Sequence, residues 1–124
     1  ALGEESGKVP YTVYMATKEY IKKNPEIIQK VTNAIGKGMT WVHEHNSKEI
    51  AEVIIPRFEG NTVEELEVMV NRYKSADVWN MDPVFTEESF TLIQDILEQS
   101  GKLAKRIPFG DLVDNTWAKI TVGK

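Results

Sequence analysis

The chain contains no cysteine and only two histidines among its 124 residues. Disulfides, thiolate metal sites and a cysteine nucleophile are thereby excluded from these residues, although the lack of cysteine does not fix a compartment. No apolar run is long enough to cross a bilayer, so no transmembrane helix is expected. An excess of basic charge is missing too. The 15 Lys and Arg are scattered among 19 Asp and Glu, for a net charge of -4 and a pI of about 5.2. That distribution gives no basis for a polyanion-binding face, and nucleic acid is not an expected partner. The first ten residues, ALGEESGKVP, have neither a basic n-region nor an apolar h-region. They read as mid-chain loop rather than as a signal peptide, which suits a processed or truncated product. There is no glycine-rich phosphate loop, zinc signature or Gly-x-Ser-x-Gly elbow. No catalysis and no cofactor are therefore expected, and no residue pattern by itself names a chemistry.

What is present suits one domain over residues 1–124, with 41% hydrophobic and 27% charged residues. The stretch VPYTVYMA is rich in β-branched and aromatic residues, and Pro10 favours extended backbone at Val9. One strand is expected over residues 9–16. A lone strand carries unpaired donors and acceptors on both edges, and no second strand of comparable quality follows. Either the chain belongs to a larger sheet protein or two copies pair as a homodimer through 9–16.

The remainder reads as helices, so the expected fold class is mainly α with one strand. Thr17 can cap KEYIKK, and Asn24 with Pro25 restarts the helix, for helical structure over about 18–45. Ile27, Ile28, Val31, Ala34, Ile35, Met39 and Val42 recur at three- and four-residue steps and form one stripe. Gly36 and Gly38 cost roughly 1 kcal/mol each against Ala, so their presence predicts close approach of another backbone. Ser47 is the expected cap of a helix over 47–57, with Ile50, Val53 and Ile54 inward, Pro56 limiting it and Gly60 stopping it. Thr62 and Glu65 form a capping box for a helix over 62–74 that turns Val63, Leu66, Met69, Val70 and Tyr73 inward. Thr86 caps a helix over 86–100 with Phe90, Ile93, Ile96 and Leu97 on one face and Gly101 as its stop. The last stretch is expected to make a short helical turn near 110–117 and trail off.

Residues 75–85 break this pattern, as a loop with Trp79, Met81 and Phe85 beside Asp77, Asn80 and Asp82. Loops this apolar tuck into a core or line a pocket. Tyr11, Tyr14 and Trp79 are candidates to stack on a small flat ligand, or alternatively to fill the core. His43 and His45 point about 200° apart on a helix, wrong for a shared metal, and read as solvated helix-end residues. Glu64-Glu65 and Glu87-Glu88 sit in first helical turns, where the macrodipole accounts for them without acid–base work.

The run YTVYMATKEYIKKNPEIIQKVTNAIGKGMTWVHEHNSKEIAEVI resembles the return segment of ABC-importer solute-binding proteins of the nitrate, sulfonate, taurine and thiamine-pyrimidine-precursor group. The strand entering a helix at MATKEYI, the Asn24-Pro25-Glu26 restart and the Ala34-to-Trp41 register followed by SKEIA carry the likeness. The run from Ser75 onward is most similar to the pyrimidine-precursor branch, through Trp79-x-x-Asp82-Pro83 and the Gly-Lys-Leu and Leu-Val-Asp-Asn endings. The resemblance implies the C-terminal part of a two-lobed α/β protein that closes on a solute and delivers it to a membrane permease. It further implies an extracytoplasmic location, Trp79 and Asn80 as cleft residues, Tyr14 near the hinge, and no metal or cofactor. Two alternatives stand beside it: a helical interaction module dimerising through residues 9–16, and a remnant of a pyrimidine-precursor synthase related to this group.

Overall fold

The computed structural model describes residues 9–123, so the reading of the first eight residues lies outside it. Seven α-helices follow one another among the described residues: α1 Lys18–Lys23, α2 Pro25–Glu44, α3 Ser47–Ile54, α4 Val63–Ser75, α5 Glu87–Gln99, α6 Phe109–Leu112 and α7 Thr116–Val122. No strand forms among them. Residues 9–16, the expected strand, carry no regular structure, and Tyr11 is 98% exposed, Tyr14 83% and Met15 88%. Strand propensity is only realised against a partner ladder, and no described segment offers one.

α1 begins as its sequence suggests, with the Thr17 hydroxyl accepting from the Tyr20 N–H at 3.1 Å. Asn24 then works backwards: its side-chain amide and its backbone N–H both donate to the Tyr20 carbonyl, closing α1, and it gives α2 no side-chain cap. Pro25 at the first position needs no donor there, so the restart survives. At the next turn Asn46, not Ser47, is the N-cap, in a reciprocal box with Glu49. Ser47 is buried instead, and its hydroxyl lies 2.6 Å from Asn71 Oδ1, tying α3 to α4. Pro56 ends α3 as expected, the chain passing into a 3-10 turn over Ile55–Arg57.

α3 packs against α4, and α2 against α7. The buried apolar side chains among the described residues are Ile50, Ala51, Leu66, Val70, Phe90 and Ala118. Val53, Met69 and Tyr73, expected inward, are exposed. α7 is the largest departure. The chain does not trail off after residue 117 but forms a helix to Val122 whose Thr121 abuts α2 at Gly36. Gln29 Nε2 reaches the Trp117 carbonyl at 3.1 Å and Thr121 Oγ1 at 3.0 Å, so a polar seam with Asn33 joins the two helices.

Side-chain amides also stand in for missing strand pairs. Asn115 both accepts from the Phe85 N–H, at 3.0 Å, and donates to its carbonyl, at 2.7 Å. Buried Gln94 does the same to Ile107, at 2.7 and 3.2 Å. These clamps satisfy extended backbone that no ladder reaches.

At the entry to α7, hydrogen bonds from the Thr116 hydroxyl and backbone N–H hold the Asp114 carboxyl below the ordinary carboxylate range. A folded-state pKa below the unfolded one stabilises the fold above the unfolded value, near 4, and that contribution is lost as pH falls through the folded value. Asp114→Asn is therefore expected to melt below the parent chain at pH 7, with the gap closing toward pH 2–3. A gap of constant size in thermal melts across that range would contradict the assignment.

Candidate functional site

The Trp79 corner forms where α2 ends against α4 and the loop that follows. α4 closes on a Schellman motif, with the Asp77 N–H donating to the Lys74 carbonyl at 3.1 Å and the Val78 N–H to the Tyr73 carbonyl at 3.3 Å. Asp77 occupies the left-handed position, φ 47°, where glycine is commonest. That reversal swings Trp79 back over α4, where its ring lies parallel to Tyr73 at 5.6 Å between centroids and 6° between planes.

Lys74 links this corner to α2. Its ammonium donates to the Val42 carbonyl at 3.2 Å and to the His45 carbonyl, capping a helix end that lacks donors of its own. His43 Nε2 sits 3.2 Å from the Asn80 carbonyl, so this ring holds the Trp79 loop against α2. His45 stacks on Trp41 at 4.1 Å, with Nδ1 2.7 Å from the Trp41 carbonyl. Neither histidine is the freely solvated helix-end residue the sequence suggests, although they do point to different partners.

Val42, His43, Lys74, Asp77, Val78 and Trp79 line a cavity of about 80 Å³. Small-molecule sites occupy roughly 300–1,000 Å³, so the corner is too small to enclose such a ligand by itself; it sets an aromatic plane beside a cation and a carboxylate. Trp79 is half-buried, while the Asn80 side chain is exposed. Tyr14 is not brought to them: it makes no ring contact or hydrogen bond among the described residues.

A larger cleft of about 350 Å³ lies between α5 and residues 106–109, lined by Phe90, Phe109, Ile107 and the Arg106 stem. Two of its polar side chains are engaged within the chain. Gln94 is spent on Ile107, and Arg106 bonds Glu98 and Asp95, whose carboxylates raise its pKa. The Trp79 corner, with its stacked aromatic pair, is the candidate site. Among the described residues no cluster of His, Cys, Asp and Glu fits a metal ion, and no helix is long and apolar enough to cross a membrane.

Over its whole length, across 125 aligned positions, the chain is 39% identical to a protein of Bacillus subtilis (strain 168) named "Putative binding protein YtlA". It spans 37% of that relative. No family model matches the chain, and no solved structure matches it at a significant level.

Proposed function

We propose that the chain is part of a small-molecule-binding protein, the solute-binding component of an ABC importer, without a catalytic role. The whole-chain similarity to a relative named as a binding protein carries this reading. The likeness of residues 11–54 and 75–119 to the nitrate, sulfonate and pyrimidine-precursor group supports the finer assignment to a thiamine pyrimidine precursor or a sulfonate- or nitrate-type solute. The partner is then a membrane permease and the location extracytoplasmic. Closure of two lobes on the solute provides the signal the permease reads, since a ligand that prefers the closed state shifts the population toward it.

Within that mechanism Trp79 stacks on the solute with Tyr73 as its backing, and the exposed Asn80 amide supplies a donor and an acceptor. Tyr14 lies near the hinge. The test titrates the protein carrying both lobes with aminopyrimidine precursors, taurine, alkyl sulfonates and nitrate, following tryptophan fluorescence and melting temperature together. A saturable response to one class is expected. Trp79→Ala should weaken it about tenfold, the scale of one lost stacking interaction. Unchanged affinity would remove Trp79 from the site, and silence toward the whole panel would overturn the solute reading.

The solvated Tyr11, Tyr14 and Met15 favour a second reading, an interaction module that dimerises through residues 9–16. Sedimentation of the chain over a range of concentrations separates the two.

A further inference from the structure

We infer that the cleft between α5 and residues 106–109 is a second binding site, and that its ligand is a small organic cation: a primary ammonium group joined by a short chain to an aromatic ring. The site shares no lining residue with the Trp79 corner and does not depend on the solute reading.

The cleft, at about 350 Å³, falls inside the roughly 300–1,000 Å³ of small-molecule sites. A cavity of about 150 Å³ already admits benzene, so a ring and a short chain have room here. The walls are braced within the chain. Gln94, buried in α5, holds the Ile107 backbone through both of its amide atoms, at 2.7 and 3.2 Å. Arg106 is drawn to the same helix by Asp95 and Glu98. Phe90 and Phe109, edge to face at 5.5 Å and 72°, contribute aromatic surface to the lining, and Ile107 adds an exposed apolar wall. A free small molecule suits this space better than a lysine side chain offered by a partner, since the lysine stem has no ring to set against the two phenylalanines.

Charge at the cleft selects the sign of the ligand. Arg106 is the basic residue of the lining, and its guanidinium is already matched by two carboxylates, so an anion entering the cleft meets no uncompensated positive charge. Glu87 is the opposite case. Its carboxylate makes no hydrogen bond or ion pair among the described residues, and neither does the Thr91 hydroxyl. Glu87, Thr91 and Gln94 follow at steps of four and three, so they share one face of α5, the face that residues 106–109 overlie. The macrodipole favours Glu87 where it stands and leaves its oxygens open to a donor. A ligand ammonium pairs with Glu87 and donates to Thr91 Oγ1, while its ring lies against Phe90 and Phe109, whose π-systems also favour a cation.

The test is a titration of the 124-residue chain with three probes, 2-phenylethylammonium, 3-phenylpropionate and n-butylammonium, followed by amide NMR shifts and by melting temperature. 2-Phenylethylammonium should give saturable shifts at amides 87–94 and 106–109. It should bind at least about tenfold tighter than the carboxylate of the same shape or the amine without a ring. At ten times its Kd it should raise the melting temperature by about 5 °C. Glu87→Gln should weaken it about tenfold, and Glu87→Lys should reverse the preference in favour of 3-phenylpropionate. Glu87 is exposed, so the amide spectra of both variants should keep the dispersion of the parent. Equal affinity for the two ring-bearing probes, n-butylammonium bound as tightly as 2-phenylethylammonium, or undiminished affinity in Glu87→Gln overturns the inference. Shifts centred on residues 73–80, or silence toward all three probes, overturn it as well. None of these probes belongs to the solute panel, so failure here and failure of the solute reading are told apart.

Discussion

Lys74→Met is expected to lower the stability of the chain by about 2 kcal/mol. Hydrogen bonds to a charged group contribute roughly 1.5–3 kcal/mol, and here one ammonium serves two carbonyls, those of Val42 and His45. Met keeps the length and apolar stem of lysine, so packing against the end of α2 changes little and the loss reports the ammonium. The carbonyls left behind sit at the negative end of α2, where a cation is also favoured by the macrodipole. For a chain of this length about 4 °C of melting temperature accompanies each kcal/mol, giving a drop near 8 °C. Urea unfolding should show a lower midpoint at unchanged slope, since compactness is not altered. The Trp79 corner is also expected to loosen, because Lys74 is what joins α4 to the end of α2 beneath it, and tryptophan emission should shift to the red. A drop under about 2 °C would mean that water caps α2 and that Lys74 is incidental.

Local signals were readable from the chain and distant ones were not. The Thr62–Glu65 box and the Thr86 cap form as their spacing suggests, since donor and acceptor lie three residues apart. The choice between Asn46 and Ser47 failed because both are good capping residues, and what decided it was Asn71, 24 residues away, claiming the serine. TWAKITV is rich in β-branched residues and looked like a fading tail, yet packing on α2 makes it a helix, tertiary contact overriding a weak propensity. Residues 9–16 err in the other direction, having strand-forming side chains and no described strand to pair with. At the candidate site Trp79 and its loop stood out by composition. Tyr73 behind the ring and Lys74 beneath it do not, because the spacing of Tyr73 reads as a core position and nothing in the sequence marks Lys74. Tyr14 stands out for its aromatic ring and, by the resemblance, for a place near the hinge, and nothing among the described contacts places it by Trp79.

Two alanine substitutions in one helix should have opposite signs. Gly38→Ala in the free chain is expected to stabilise it by up to about 1 kcal/mol, because the helix gains propensity and the new methyl meets nothing. Gly36→Ala gains the same propensity but places its Cβ 2.7 Å from Thr121 Cγ2, closer than carbon atoms pack. The threonine cannot simply turn away. Its hydroxyl is tied to Asn33 Oδ1 at 2.7 Å and to the Trp117 carbonyl at 3.0 Å, and it also accepts from Gln29. Overpacking of this kind costs about 1–3 kcal/mol, and against the roughly 1 kcal/mol of propensity gained the net change should be a loss of up to about 2 kcal/mol. Thr121→Ser removes the offending methyl and keeps the hydroxyl, and in the Gly36→Ala background it should recover most of that loss. The comparison is made by urea unfolding of the four chains. If Gly36→Ala stabilises as much as Gly38→Ala, then α7 does not lie on α2 at this spacing, and the polar seam through Gln29, Asn33 and Thr121 is not what holds the end of the chain in place.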